Sequence, residues 1–271
     1  MADPLKNIKR KLARAREHID ACDVAAKAFF TSQFYTTRIE HDRPSRWWSV
    51  VIDTIKPVPP EIGILAGEGA HHLRSSLDHL MWLLARPATV REAIHVEFPI
   101  TSSRREFVGR RKGAKKGGGG TLPGVRYKMM GVPRGVRAAV ERLQPYNSGK
   151  NPHADMLGFL REVSNWDKHR SLPIVAASVR VADLHLEISG GVLLSQETLA
   201  GILKAETALA HVQIRHARPT CYVNMKPELS VEPFCDDVMP EPVRGINTVR
   251  ALHWAGWFIE QRVLPALRGF L

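Results

Sequence analysis

Across residues 4 to 31, Leu5, Ile8, Leu12, Ala15, Ile19, Cys22, Ala26 and Phe29 recur at three- and four-residue steps. That period puts them on one face of a helix, and a helix so long needs other helices to cover it. The rest of the chain supplies them. From Glu61 to about Ala85 a second helix carries the stripe Ala66, Ala70, Leu73, Leu77, Leu80, Met81 and Leu84, and Arg86-Pro87 closes it. Two shorter helices are expected at Arg134 to Leu143 and His153 to Asp167, with the turn-prone Gln144 to Gly149 between them. A last helix from about Val243 to Leu267 buries Ile246, Val249, Leu252, Ile259 and Val263.

Strand patterns lie between these helices. Phe34 to Glu40 and Trp47 to Ile55, rich in β-branched and aromatic residues, flank His41 to Ser45, so residues 34–56 read as a β-hairpin that Pro57, Pro59 and Pro60 bring to an end. Ile174 to Val181, Leu184 to Ile188, Leu209 to Arg215 and Thr220 to Val231, the last interrupted by Pro227, make residues 172–234 an antiparallel meander. The expectation is a single α+β domain of long amphipathic helices packed with one small antiparallel sheet.

With 44% hydrophobic residues in 271, the chain has material for its own core. Cys22, Cys221 and Cys235 are odd in number, widely spaced and without zinc-finger partners, which argues against a disulfide framework and structural zinc. The first residues lack the apolar segment of a secretory signal, and no run of about 18 apolar residues could span a bilayer. The reading is a cytoplasmic chain with no membrane partner and no cofactor motif; self-association stays open.

The formal charge of +12 is concentrated. Between Arg104 and Lys128 stand nine basic residues and one acid, a net of +8, and the tetraglycine Gly117 to Gly120 falls in the same stretch. Residues 101–132 therefore read as a flexible basic loop, with Arg110, Arg111, Lys112, Lys115 and Lys116 as candidate contacts to RNA or DNA.

Two polar clusters could carry chemistry. On the second helix, His71, Arg74 and Asp78 follow one margin of the apolar stripe, where low dielectric strengthens their interactions. At the end of the fourth, Asn165, Asp167 and His169 stand in Asn165-Trp166-Asp167-Lys168-His169-Arg170. If the two helices are neighbours, these six side chains offer an acid, a base and anion-binding groups in one cleft. The alternative is a hydrogen-bonded network that holds helices together. Glu68, His72 and His79 form another row, on the face turned away from the stripe. Their spacing is that of helical metal ligands, but no second acidic helix completes a set, so they read as solvated side chains.

Gly67 to Asp78, with His71, Leu73, Arg74, Ser75, Leu77 and Asp78, resembles the G-[DE]-x-x-H-N-L-R-S-x-L-D pattern of a broad family of uncharacterised bacterial proteins. Phe98-Pro99-Ile100, the Leu143 to Tyr146 turn and the N-x-D-K-H-R segment from Asn165 to Arg170 extend the likeness over about residues 34 to 172. The chain departs from it in having His72 where the family has asparagine, and in its basic loop. The likeness implies positions and no reaction. Arg74 and His79 also have the R-x4-H spacing of the HEPN ribonucleases, although on a continuous helix they stand about 140° apart. The functional expectations are a nucleic-acid-associated protein, an enzyme acting on a small anion in the His/Arg/Asp cleft, a HEPN-like ribonuclease, or a non-catalytic scaffold.

Overall fold

The structure, a computed structural model, describes residues 3–85, 96–108, 125–129, 131–149, 155–215, 221–240 and 243–271. The fold class is α+β. The chain divides into two compact units, one of residues 1–22, 63–172 and 237–271, the other of residues 23–62 and 173–236.

The first unit is helical. Helix α1 (Lys6–Thr31) belongs to it as far as Cys22, and α2 (Pro60–Leu84) from Gly63. Both bury the stripes their sequences mark out: Ile8, Leu12, Ala15, Ile19 and Cys22 on α1, and Ala66, Ala70, Leu73, Leu77, Leu80 and Met81 on α2. Each fully buried Leu or Ile contributes about 1.5–3 kcal/mol of transfer free energy. A Cβ on Gly69 would come within 2.8 Å of Ile19 Cγ1, so the missing side chain is what lets α1 and α2 approach closely.

Residues 101–132, expected to be flexible throughout, are ordered at both ends. Helix α3 (Arg104–Val108) and a 3-10 turn (Val125–Met129) each bury an anchor, Phe107 and Met129. The glycine-rich composition hides these two apolar residues. Arg110, Arg111, Lys112, Lys115, Lys116 and the tetraglycine lie outside the described residues. Helix α4 (Arg134–Arg142) follows, burying Val136 and Val140. Asp155 caps α5 (Met156–Asp167) by accepting the Leu157 N–H at 2.8 Å, and Leu157, Phe159, Leu160 and Val163 form its buried face.

The C-terminal helix starts later than expected and is not uniform. Asn247 caps α6 (Thr248–Phe258), the chain widens into a π turn (Ile259–Val263), and α7 (Leu264–Arg268) ends it. Pro265 supplies the reason: it lacks an N–H and its ring crowds the carbonyl four residues back, and a wider turn relieves that clash.

The second unit holds β1 (Tyr35–Asp42), β2 (Trp47–Ile55), β3 (Ile174–Ser189), β4 (Val192–Thr198), β5 (Gly201–Ile202), β6 (Ala208–Arg215) and β7 (Tyr222–Cys235). The expected hairpin is present, with β1 antiparallel to β2. The single sheet and the simple meander are not. The strands form two antiparallel sheets, ordered β1-β2-β6-β4 and β5-β3-β7. After the turn at Gly190 and Gly191, β4 pairs with β6 and not back onto β3. A side chain at Gly191 would overlap Ile214, so this turn is seated on β6, which directs β4 there. β3 is one strand where two were expected, because bulges at Ser178/Arg180 and Val181/Asp183 absorb the extra residues. Pro227 does not interrupt β7, which lies at a sheet edge and needs no N–H on its outer side. The core of this unit gathers Phe34, Val50, Ile52, Leu184, Leu209, Val212, Ile214 and Met225.

Candidate functional site

Arg74 and Asp78, one turn apart on α2, close on a single peptide group. Arg74 donates to the Phe98 carbonyl at 2.7 Å, Asp78 Oδ1 accepts the Phe98 N–H at 2.9 Å, and the two side chains pair at 3.1 Å. Among the described residues no strand lies beside residues 96–100; the Glu97 N–H bonds the Lys128 carbonyl at 3.0 Å, and the other buried backbone groups of the segment need side-chain partners. Gln144, fully buried, supplies more of them. It accepts from Thr101 N at 2.9 Å and Thr101 Oγ1 at 3.1 Å, and donates to the Pro99 and Val140 carbonyls at 2.8 and 3.1 Å. The Phe98-Pro99-Ile100 element is thus clamped by two of the other motif segments. The network expected to lock helices together instead locks an extended segment.

Charge is arranged around this clamp. Burial pushes the Asp78 carboxyl above the usual range, against the opposing pull of Arg74 and the Phe98 N–H. Burial also resists ionisation of Glu97, but Lys128, bonded to it at 2.7 Å, and then Arg74 hold its carboxyl below the usual range.

Beside the clamp is a cavity of about 210 Å³ lined by Arg74, Glu97, Lys128, Arg161, Asn165 and Lys168, among others. Arg161 pairs with Glu162 at 2.8 Å and Glu106 at 3.4 Å, and donates to Ser102 Oγ at 2.8 Å. Asn165 and Lys168 are exposed, and their side chains have no hydrogen-bond or ion-pair partner among the described residues. Arg74 and Asn165, one from each expected cluster, therefore share a cavity. Larger hollows, about 670 Å³ beside Leu12 and Leu264 and about 640 Å³ beside Asn7 and Trp82, gather fewer convergent polar groups.

His71 leaves the row it was expected to share with Arg74 and Asp78. Its ring meets that of His72 edge-on, with centroids 5.7 Å apart. It also lies in the field of Asp167 across the α2–α5 contact. Burial first, and then Glu68, raise the Asp167 carboxyl above its usual range, while His71 opposes them. Asp167 lies against the backbone of α2, and a side chain at Gly67 would overlap its Oδ1. His169 is exposed beyond the end of α5, and its side chain has no partner among the described residues.

Glu68 and His72, expected to be solvated, face α1. His18 Nδ1 lies 2.9 Å from Glu68 Oε2, and the His18 and His72 rings stack at 5.3 Å with a 17° tilt. Sequence periodicity marks the buried stripe of α1 but not which neighbour covers its margin, so His18 carried no signal. His79 departs from this row and borders the hollow with Asn7 and Trp82, whereas Arg74 opens on the cation-lined cavity.

Chemically, Arg74 and Asp78 are engaged with backbone, and the free groups at the cavity, Lys168 and Asn165, are suited to holding an anion. Among the described residues no group of three or more His, Cys, Asp or Glu is placed to hold a metal ion, and no helix is long and apolar enough to cross a membrane. No family model, no curated protein and no solved structure matches the chain.

Proposed function

We propose that the chain binds the phosphate backbone of RNA or DNA through its helical unit. The observation that carries this reading is the division of charge. The helical unit holds 29 Lys and Arg against 15 Asp and Glu, and the other unit 10 against 12. A net of +14 on one unit and −2 on the other is a field that attracts polyanions to one part of the chain. Exposed Lys6, Lys9, Arg10 and Arg14 on α1 and Arg134, Arg137 and Arg142 on α4 belong to that unit. So do α3 and the 3-10 turn, between which the chain carries Arg110, Arg111, Lys112, Lys115 and Lys116.

The test is binding of a labelled single-stranded oligonucleotide by fluorescence anisotropy across a salt series. Each phosphate neutralised contributes roughly −0.7 to the slope of log K against log salt. Deleting residues 109–120 removes five cations, so the expected result is weaker binding and a slope flatter by up to about 3.5. Binding that ignores both salt and the deletion overturns the proposal.

A second reading is favoured by the cavity itself. Its volume of about 210 Å³ is below the roughly 300 Å³ at which pockets for larger ligands begin, and Lys168 and Asn165 stand free at it. It fits a small anion, held by Lys168 and Asn165. Calorimetry with inorganic phosphate distinguishes the two: this reading requires binding that depends little on salt and is lost in Lys168→Ala.

A further inference from the structure

Where α1 and α2 face each other, more ionisable groups gather than at the cation-lined cavity, and apart from Arg14 neither use proposed above involves them. Lys11, Arg14 and His18 recur on α1 at i, i+3 and i+7, which places them within one 60° sector of the helix. His18 stacks on His72, and His72 meets His71 edge-on, so three imidazoles stand in a row. Two carboxylates stand against them, Glu68 beside His18 at 2.9 Å and Asp167 of α5 near His71, and a third, Glu17, is bonded to Arg14 at 2.6 Å. With the imidazoles neutral, two fixed cations face three carboxylates, and the row is net negative. With all three protonated, five cations face three carboxylates, and its sign is reversed.

We propose that this histidine row is a proton-operated gate on polyanion binding, repelling phosphates when its imidazoles are neutral and receiving a backbone phosphate when they are charged. The proposal rests on the nucleic-acid reading above, of which it names one contact surface and its regulation. Three observations support it. The row reaches solvent at His71 and Arg14, which are exposed, while His72 is half-buried and the His18 side chain is 15% exposed. The buried Nδ1 of His72 has no hydrogen-bond partner among the described residues, so a second ring proton is poorly accommodated unless a nearby anion offsets its charge through space. Burial first, and then Lys11, His18, His71 and Arg14, hold the His72 imidazole below its usual range, and an anion at the row relieves the repulsive part of that effect.

By linkage, a ligand that favours the protonated row takes up protons as it binds, so its affinity rises as pH falls through the histidine range. The experiment uses the full chain and a fluorescein-labelled single-stranded RNA of about 20 nucleotides, at constant ionic strength, between about pH 7.5 and about pH 5.5. The expected result is an affinity at least about fivefold higher at the acid end, with most of that rise lost in His18→Gln/His72→Asn. NMR of the histidine ring protons of the unaltered chain adds a readout that needs no variant: RNA should move the titration midpoint of His72 upward. RNA that binds equally at all pH values overturns the gate and leaves the nucleic-acid reading standing. An unchanged pH profile in the double variant, or an unmoved His72 midpoint, has the same consequence. Failure to bind RNA at any pH overturns both.

Discussion

The clamp on Phe98 makes the sharpest stability prediction. The Arg74 side chain is 13% exposed and that of Asp78 27%, so the pair is mostly, though not wholly, out of water. Arg74→Ala removes the donor to the Phe98 carbonyl, and a hydrogen bond to a charged group is worth about 1.5–3 kcal/mol. It also leaves the Asp78 carboxylate without its nearest cation. For a fully buried pair that loss reaches about 3–5 kcal/mol, and the remaining exposure of Asp78 reduces it. The expected total is about 2–4 kcal/mol by urea denaturation. Asp78→Asn keeps an acceptor for the Phe98 N–H and should cost less, about 1–2 kcal/mol. Because the two residues share one peptide, the double variant should fall short of the sum by about 1 kcal/mol or more. Hydrogen exchange localises the effect: Asp78→Ala should speed exchange of the Phe98 amide while buried amides of α1 stay protected. An Arg74→Ala cost under about 0.5 kcal/mol, or strict additivity, would refute the clamp.

Gln144→Leu removes four hydrogen bonds, three of them to Pro99 and Thr101, and should destabilise by about 2–4 kcal/mol in the same assay; a cost near zero would mean these groups are satisfied without it. Gly67→Ala should cost about 1–3 kcal/mol because the new methyl displaces the Asp167 carboxylate, and adding Asp167→Ala should recover most of the loss. The Glu97 carboxyl is held below its ordinary 4.5, so the stability it contributes is present above that pH and disappears as pH falls through its lower folded value. Glu97→Gln should therefore flatten the acid limb of a melting-temperature profile, and an unchanged limb would show that Lys128 does not hold the carboxylate.

The sequence by itself determined the long helices, the hairpin and the helical stripes. Each of these is set by local periodicity: α1 and α2 bury the residues that recur every three or four positions, because a helix can cover only one face. It also pointed to the motif positions that the structure draws around Phe98. What it could not determine were the pairings between segments distant in the chain. The 172–234 region reads as a meander, but Gly191 against Ile214 sends β4 to β6, and nothing local to β4 records that contact. The row His71, Arg74 and Asp78 is continuous along α2, and it is divided by what lies opposite: Phe98 engages Arg74 and Asp78, while His72 and Asp167 engage His71. His72 reads as solvated until α1 is placed over it with His18 facing its ring. Helical geometry fixes the angle at which each side chain leaves its own axis, whereas the partner, the burial and hence the charge state depend on which other segment packs there. Tertiary structure alone decides those.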